Sequence, residues 1–440
     1  MKFTPRLALL ALATALVPAA NLAAEDAKQN VPPEGFTALF NGKNLDGWIA
    51  HSRNPYEVEA LSEEDRKKFL DEQWQNATEH WSVDNGELVN DGKGAYMTSP
   101  GEYRDFEFLV DFKLIPNGDS GIYLKATPQV QVWDTTEAGG KWNLGADKGS
   151  GGLWNNKAGT PGKDPLVHAD KPIGEWNSFR IKQIGARTWV WLNDKLVIDG
   201  SPLQNYWKRD LPLRNQGPVQ LQTHGNEVRW RNIFIREIGL EEATSTLAGN
   251  DDGFQTIFNG KDFEGWAGPT ENYEVVDGTV RCQQGKGGTI YWNENLTDFV
   301  ARVEFKVPPG GNNGLAIRYP GTGDTAYVGM CELQVLDDTA EKYAKLDPRQ
   351  YHGSIYGAVA AHRGYQRPVG EWNYQQVTVK GSRITVELNG TVITDADVSE
   401  VKEFMGKNPH SGVSRTEGFF GFAGHGDAVQ FRNVRIKKLD

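Results

Sequence analysis

The chain has little cysteine: only Cys282 and Cys331 in 440 residues. That count excludes a metal site built of thiolates and leaves a simple choice between one disulfide and two free buried thiols. Long apolar runs are missing beyond the N-terminus, so no later segment is suited to cross a bilayer. Long basic runs are missing too, and the net charge is −11. Nucleic acid is therefore not expected as the main partner, and an anionic substrate is weakly disfavoured. The N-terminus, "MKFTPRLALLALATALVPAANLAAEDAK", has Lys2 and Arg6, an apolar run from Leu7 to Val17, and "LAA" before Glu25. It reads as a secretory signal over residues 1–24, and no cysteine follows it to carry a lipid. The expectation is an exported protein, periplasmic or secreted.

Glycine and tryptophan, by contrast, are plentiful, at 50 and 14 residues. Turn formers combined with large aromatics lean towards β-structure. Hydrophobic residues at 38% and charged residues at 24% fit a soluble globular chain too long for one core.

Internal repeats settle the architecture. "GFTALFNGKNLDGW" (35–48) recurs as "GFQTIFNGKDFEGW" (253–266), and "PIGEWNSFRI" (172–181) as "PVGEWNYQQV" (368–377). "VRWRNIFI" (228–235) returns as "VQFRNVRI" (429–436). The order is the same in both halves, so the chain is a tandem duplication, with modules at 34–238 and 253–440. The acidic stretch 239–252 lacks periodicity and reads as a linker. The first copy carries an insertion at about 60–76, where Ser62 followed by Glu63, Glu64 and Asp65 predicts a capped helix.

The remainder alternates as strands do. Phe106, Phe108, Val110, Phe112 and Leu114 share one face, as do Phe299, Ala301, Val303, Phe305 and Val307. Asn389-Gly390 and Asn193-Asp194 are hairpin signals. The fold class expected is all-β: two tandem antiparallel jelly-roll sandwiches.

Candidate chemistry begins with "CELQVLDD" (331–338) and its counterpart "PQVQVWDT" (128–135). Glu332 and Gln334 share a strand face, and Asp337 joins them only through a bulge. Gln129 stands where Glu332 does, with Gln131 and Asp134 repeating Gln334 and Asp337. Two-carboxylate glycan hydrolysis needs a flanking pair, and neither copy shows one plainly. The amides and acids still suit sugar hydroxyls; the plain alternative is that Glu332 satisfies a neighbouring amide.

His224 and His425 fall at equivalent places before glycine, as a base near neutral pH or as holders of a turn. Gln222 accompanies His224, whereas Ala423 accompanies His425. "NGDSGIYLK" (117–125) matches "GNNGLAIRY" (311–319), pairing Asp119 with Asn312 and Lys125 with Arg318. Those cations could steady an oxyanion or merely guard a sheet edge. A Gly-rich loop carries Trp154, Asn155 and Asn156, with Tyr356 on its counterpart; it is a sugar platform or a plug for the core.

As an ordered set, "LFNGKNLDGW", "GDSGIYLK", "VQVWD", "GGLWNNK", "PIGEWNSF" and "LQTHG" in the first copy resemble the 3-keto-disaccharide hydrolase family. "IFNGKDFEGW", "NNGLAIR", "ELQVLDD", "YGAVA", "PVGEWN" and "GHGD" do so in the second. The resemblance implies a concanavalin-like jelly roll acting on oxidised sugars: a C3 ketone acidifies the C2 proton, the glycosidic oxygen leaves, and water adds to the enone. Such a site needs a base, an acid and an oxyanion stabiliser, and tolerates glutamine at 129 and 334. Glu332, His224 and His425 then become the proton-transfer candidates. Asp119, Lys125, Gln131, Asp134, Trp154, Asn155, Asn156, Gln222, Arg318, Gln334, Asp337 and Tyr356 become the substrate-binding candidates. No cofactor is implied, a divalent cation stays open, and the partner is a small sugar or oligosaccharide. A lectin-like protein, or one catalytic plus one binding module, is the rival expectation.

Overall fold

The structure is a computed structural model that describes residues 29–406 and 409–439. The expected signal at 1–24 lies outside the described residues. Each module is a pair of antiparallel sheets. In the first, an eight-stranded sheet runs Lys195–Pro202, Arg187–Leu192, Asn177–Ile184, Phe106–Leu114, Val228–Glu237, Glu87–Asn90 and Trp81–Asp84, with Thr37–Ala38 beside Val228–Glu237. The opposing five-stranded sheet runs Ile49–Ala50, Met97–Thr98, Gln220–Leu221, Asp119–Leu124 and Thr127–Trp133. The second module repeats both sheets, its smaller one running Trp266–Ala267, Gly288–Trp292, Phe419–Gly424, Asn312–Tyr319 and Cys331–Leu336. Two tandem jelly-roll sandwiches are therefore the fold.

Period-two alternation explains the packing. Phe106, Phe108, Val110, Phe112 and Leu114 are all buried in the first core, and Phe299, Ala301, Val303 and Phe305 in the second. Each buried phenylalanine contributes about 2–3 kcal/mol of apolar transfer. Asn193-Asp194 and Asn389 adopt positive φ at their hairpins, as the tight turns require. Ser62 caps a helix at Glu63–His80, its Oγ accepting from the Asp65 amide. Both cysteines are free and buried, which decides against a bridge.

The acidic connector is not irregular throughout. Leu240–Ala248 is a helix, because Glu242 is held by Arg236 and by Lys182 (2.9 Å) while Arg302 Nη1 donates to Ala248 O. The modules are docked directly as well. Arg367 Nη2 donates to Asp105 Oδ2 at 2.9 Å, with both side chains under one-tenth exposed. Arg187 pairs with Glu387, Arg104 Nη2 donates to Gln366 O, and the Gly390 carbonyl accepts from the Ala186 amide.

One staple occurs twice. In the second module, buried Arg318 donates to Asp298 Oδ1, Thr297 O, Gly381 O and Arg415 O, and Asp298 Oδ1 also accepts from the Gly381 amide. In the first, fully buried Lys125 donates to Gly185 O, and Asp105 Oδ1 accepts from the Gly185 amide. Burial pushes the Lys125 ammonium down to about 7. Lys125 makes no ion pair with Asp105 within 4 Å, and Asp105 takes its partner from the other module instead.

Candidate active site

Alternation turns Val130 and Val132 into the first core, so Gln129, Gln131 and Trp133 face outward from the small sheet. Asp119, Gly121 and Tyr123 do the same on the neighbouring strand. These outward residues are buried all the same, and from the loop that follows the strand Lys141 reaches Asp119 while Trp154 packs near Trp133. The corresponding outward set in the second module is Glu332, Gln334 and Leu336 beside Asn312, Gly314 and Ala316.

Register explains how each histidine finds an acid. Gln220 pairs with Tyr123, so two steps on Gln222 faces Gly121, and two more bring His224 opposite Asp119. His224 Nδ1 lies 3.1 Å from Asp119 Oδ2, leaving Nε2 unengaged by that carboxylate. In the second module Asn313 pairs with Gly424, so His425 lies beside the uncharged Asn312. Its acid comes instead from one strand farther away. The Glu332 side chain lies across Gly314, where any Cβ would collide with its carboxylate, and Oε1 meets His425 Nε2 at 3.0 Å. Gln129 lies across Gly121 in the same way, but its Nε2 donates to Gln131 Oε1 at 2.6 Å. Each module thus keeps one histidine–carboxylate dyad, built from different strands and through different ring nitrogens.

Electrostatics follow from these contacts. The Asp119 contact raises His224 above its ordinary pKa, against a smaller opposing effect of burial. Glu332 raises His425 likewise, with Asp324 and Asp427 adding to it. Burial alone would push the Asp119 carboxyl up, but His224 and Lys141 outweigh it and hold it below the usual range. Lys141 Nζ donates to Asp119 Oδ2 at 2.6 Å, and Gln131 Nε2 to Oδ1 at 2.8 Å. Tyr123 is raised by burial, so it keeps its proton, and its hydroxyl accepts from Gln222 Nε2 at 3.3 Å. Gln129 Oε1 and Gln222 Oε1 have no donor among the described residues.

Other candidates lie elsewhere or are already engaged. Asp134 accepts from the Asn117 and Thr136 amides and the Thr136 hydroxyl, so it locks a turn at the strand end. Asp337 does the same with Gly310 and Thr339. Lys125 and Arg318, expected on the ligand face, sit inside the staples: both residues take positive φ, which turns them out of the strand alternation. Asn156 is consumed by Pro202 O and the Gln204 amide. Asn155 is held through its backbone carbonyl, which accepts from Arg209, while its side-chain oxygen has no partner among the described residues. Trp154 carries the Lys163 ammonium 3.3 Å from its ring centroid and packs near Trp133, so it is no open platform. Tyr356 lies next to the second site, its amide donating to Glu332 O and its hydroxyl accepting from Gln350. Gln334 Nε2 donates to Asn312 Oδ1 at 2.5 Å, repeating the Gln131–Asp119 contact.

Three features escaped the sequence reading. Tyr123 was readable from alternation with Asp119 and Gly121. Lys141 comes from a Gly-rich loop with no periodic signal. The short helix Thr325–Val328, capped by Asp324, belongs to a segment of the second copy without a counterpart of equal length in the first; Thr325 Oγ1 meets Thr289 Oγ1 at 2.6 Å beside the site. Among the described residues, no group of three or more His, Cys, Asp or Glu converges as metal ligands would. No helix there is long and apolar enough to cross a membrane.

A curated relative, the 3-keto-disaccharide hydrolase of Bacteroides thetaiotaomicron, is 30% identical over 271 residues, spanning 52% of this chain and 92% of the relative. A solved candidate glycosyl hydrolase from Parabacteroides distasonis is 28% identical, covering 42% of this chain and 99% of its own, with a TM-score of 0.38. The carbohydrate-binding module CBM66 of Bacillus subtilis is 16% identical over 42% of this chain and 96% of its own, with a TM-score of 0.25. The family model described as the 3-keto-alpha-glucoside-1,2-lyase-like domain matches residues 35–236 and again 253–437, and the chain belongs to that family.

Proposed function

We propose that the chain is an exported enzyme that cleaves 3-keto-glycosides by elimination followed by hydration. The observation that carries this reading is the dyad: in each module a half-exposed histidine is held by one buried carboxylate and keeps one ring nitrogen for a substrate proton. Asp134 and Asp337, the acids at the ends of the two site strands, spend their oxygens on turns, so neither serves as the second member of a flanking carboxylate pair. Elimination next to a ketone does not need one.

In this reading His224 Nε2 or His425 Nδ1 takes the C2 proton, and the electron pair moves into a C1–C2 double bond as the C1–oxygen bond breaks. The leaving oxygen takes a proton. Water then adds at C1 while C2 regains its hydrogen, so the net reaction is hydrolysis. Asp119 and Glu332 orient the rings and stabilise the imidazolium that forms. Lys141 supplies positive charge where the C3 oxygen becomes anionic in the first module. Export rests on the pattern of residues 1–24, and a mature protein still beginning at Met1 would remove it.

The test is release of sugar from a 3-keto-disaccharide by wild type and by a His224→Ala plus His425→Ala variant. Loss of at least about a hundredfold is expected, as for removal of a general base. A wild type that binds the substrate yet never releases sugar would be a lectin, and the cleavage reading would be abandoned.

A further inference from the structure

Trp142 is 46% exposed and follows directly on Lys141, the residue whose ammonium holds Asp119 in the first dyad. Its indole is fixed edge-on by a bond from Nε1 to Thr135 O at 3.0 Å, at the end of the strand that carries Gln129, Gln131 and Trp133. Leu144, two residues on in the same short 3-10 helix, is 52% exposed as well. Trp154, Trp176, Trp191 and Trp372 each carry a lysine or arginine over the ring, whereas no cation and no aromatic ring packs on Trp142 among the described residues.

An oriented indole with no cation or aromatic ring over it, one residue from the cation that holds the dyad, offers a flat apolar surface to a ligand. A pyranose presents an apolar face of C–H groups of matching size, and aromatic walls with a few polar anchors are the usual make-up of small-ligand sites. The backbone that carries Trp142 stands one lysine side chain from the His224–Asp119 dyad, because Lys141 Nζ reaches Asp119 Oδ2 at 2.6 Å. The second module places Tyr343 here, with the Lys342 ammonium 4.7 Å from its ring centroid. At the corresponding loop Tyr343 ties its hydroxyl to Gly310 O, and the Thr325–Val328 helix stands beside the site.

We infer that Trp142 is the stacking platform for the sugar on the leaving side of the scissile bond, so that the first module selects disaccharides over 3-keto-glycosides with small leaving groups. This rests on the cleavage reading above. In a His425→Ala background, which leaves the first module to act alone, kcat/KM is measured for a 3-keto-disaccharide and for a methyl 3-keto-glucoside. The disaccharide-to-methyl ratio should fall about tenfold in Trp142→Ala, the size of one lost apolar contact, and be largely kept in Trp142→Phe. Val31→Ala, at an exposed apolar residue of the N-terminal segment beside the larger sheet, should leave both rates alone. An unchanged ratio in Trp142→Ala overturns the inference and leaves the cleavage reading standing. A background that is inactive beside an active wild type overturns it too, by placing all turnover in the second module. No release of sugar by wild type from either substrate defeats both readings.

Discussion

The buried Arg367–Asp105 pair makes the junction between the modules accessible to measurement. Arg367→Met removes the guanidinium but keeps most of the side-chain volume. Asp105 is then left charged at 4% side-chain exposure, retaining only the Gly185 amide and a lysine that burial has brought to about 7. Breaking a buried pair by deleting one partner costs about 3–5 kcal/mol, and screening by water offers no relief at this depth. The Gly185 bond favours the lower figure. For a unit of about 200 residues, 3 kcal/mol corresponds to a loss of about 6–12 °C in Tm. Differential scanning calorimetry should show this loss, with the first module melting as a separate earlier transition. Adding Asp105→Asn removes the stranded charge while its amide oxygen still accepts from Gly185, so the double variant should regain more than half of the loss. A single variant within about 2 °C of wild type, or a double variant no better than the single, would refute the claim that this pair couples the modules.

Two further outcomes follow from the titrating groups. In a His224→Ala background, activity should fall as pH drops through the raised pKa of His425, because only the neutral ring accepts the C2 proton. Glu332→Gln removes the charge that raises it, so that limb should move to lower pH; a limb that stays in place assigns the base elsewhere. The Lys125 ammonium is protonated less readily in the folded chain than in the unfolded one. Between about 7 and the ordinary lysine value near 10.4 the unfolded chain binds more protons, so stability should rise with pH by a few kcal/mol at most. Lys125→Met should flatten that rise in urea denaturation series, and an unaltered slope would show that another group titrates there.

Much of the fold was legible because it is written in periods. The duplicated motifs, the alternating phenylalanines and the Asn-Gly hairpin all rest on local rules that the packing did not override. The dyads were half legible. Asp119 against Asn312, and Gln129 against Glu332, look like two separate losses when each strand is read alone. Only the register shows that one carboxylate per copy survives and that both reach the same histidine position, one from the adjacent strand and one across a glycine gap. Asp134, Asp337, Lys125 and Arg318 misled for a shared reason. Each lies at a strand end or at positive φ, where period-two counting no longer tells which way a side chain points. Lys141 and Trp142 lie in a loop, where no period exists to be read.

The two staples also give the duplication a direction. In the second module Asp298 is neutralised by its own Arg318, whereas Asp105 has Lys125 out of ion-pair range and depends on Arg367. The residue that corresponds to Arg367 in the first module is Lys171, whose ammonium is turned back to Trp176 O. Neither half of the junction therefore exists on the other copy. Two copies of the second module would meet with an acid already satisfied, and two copies of the first with a lysine already occupied. The divergence of the copies at these residues, and not merely their presence, is what lets one buried pair join them.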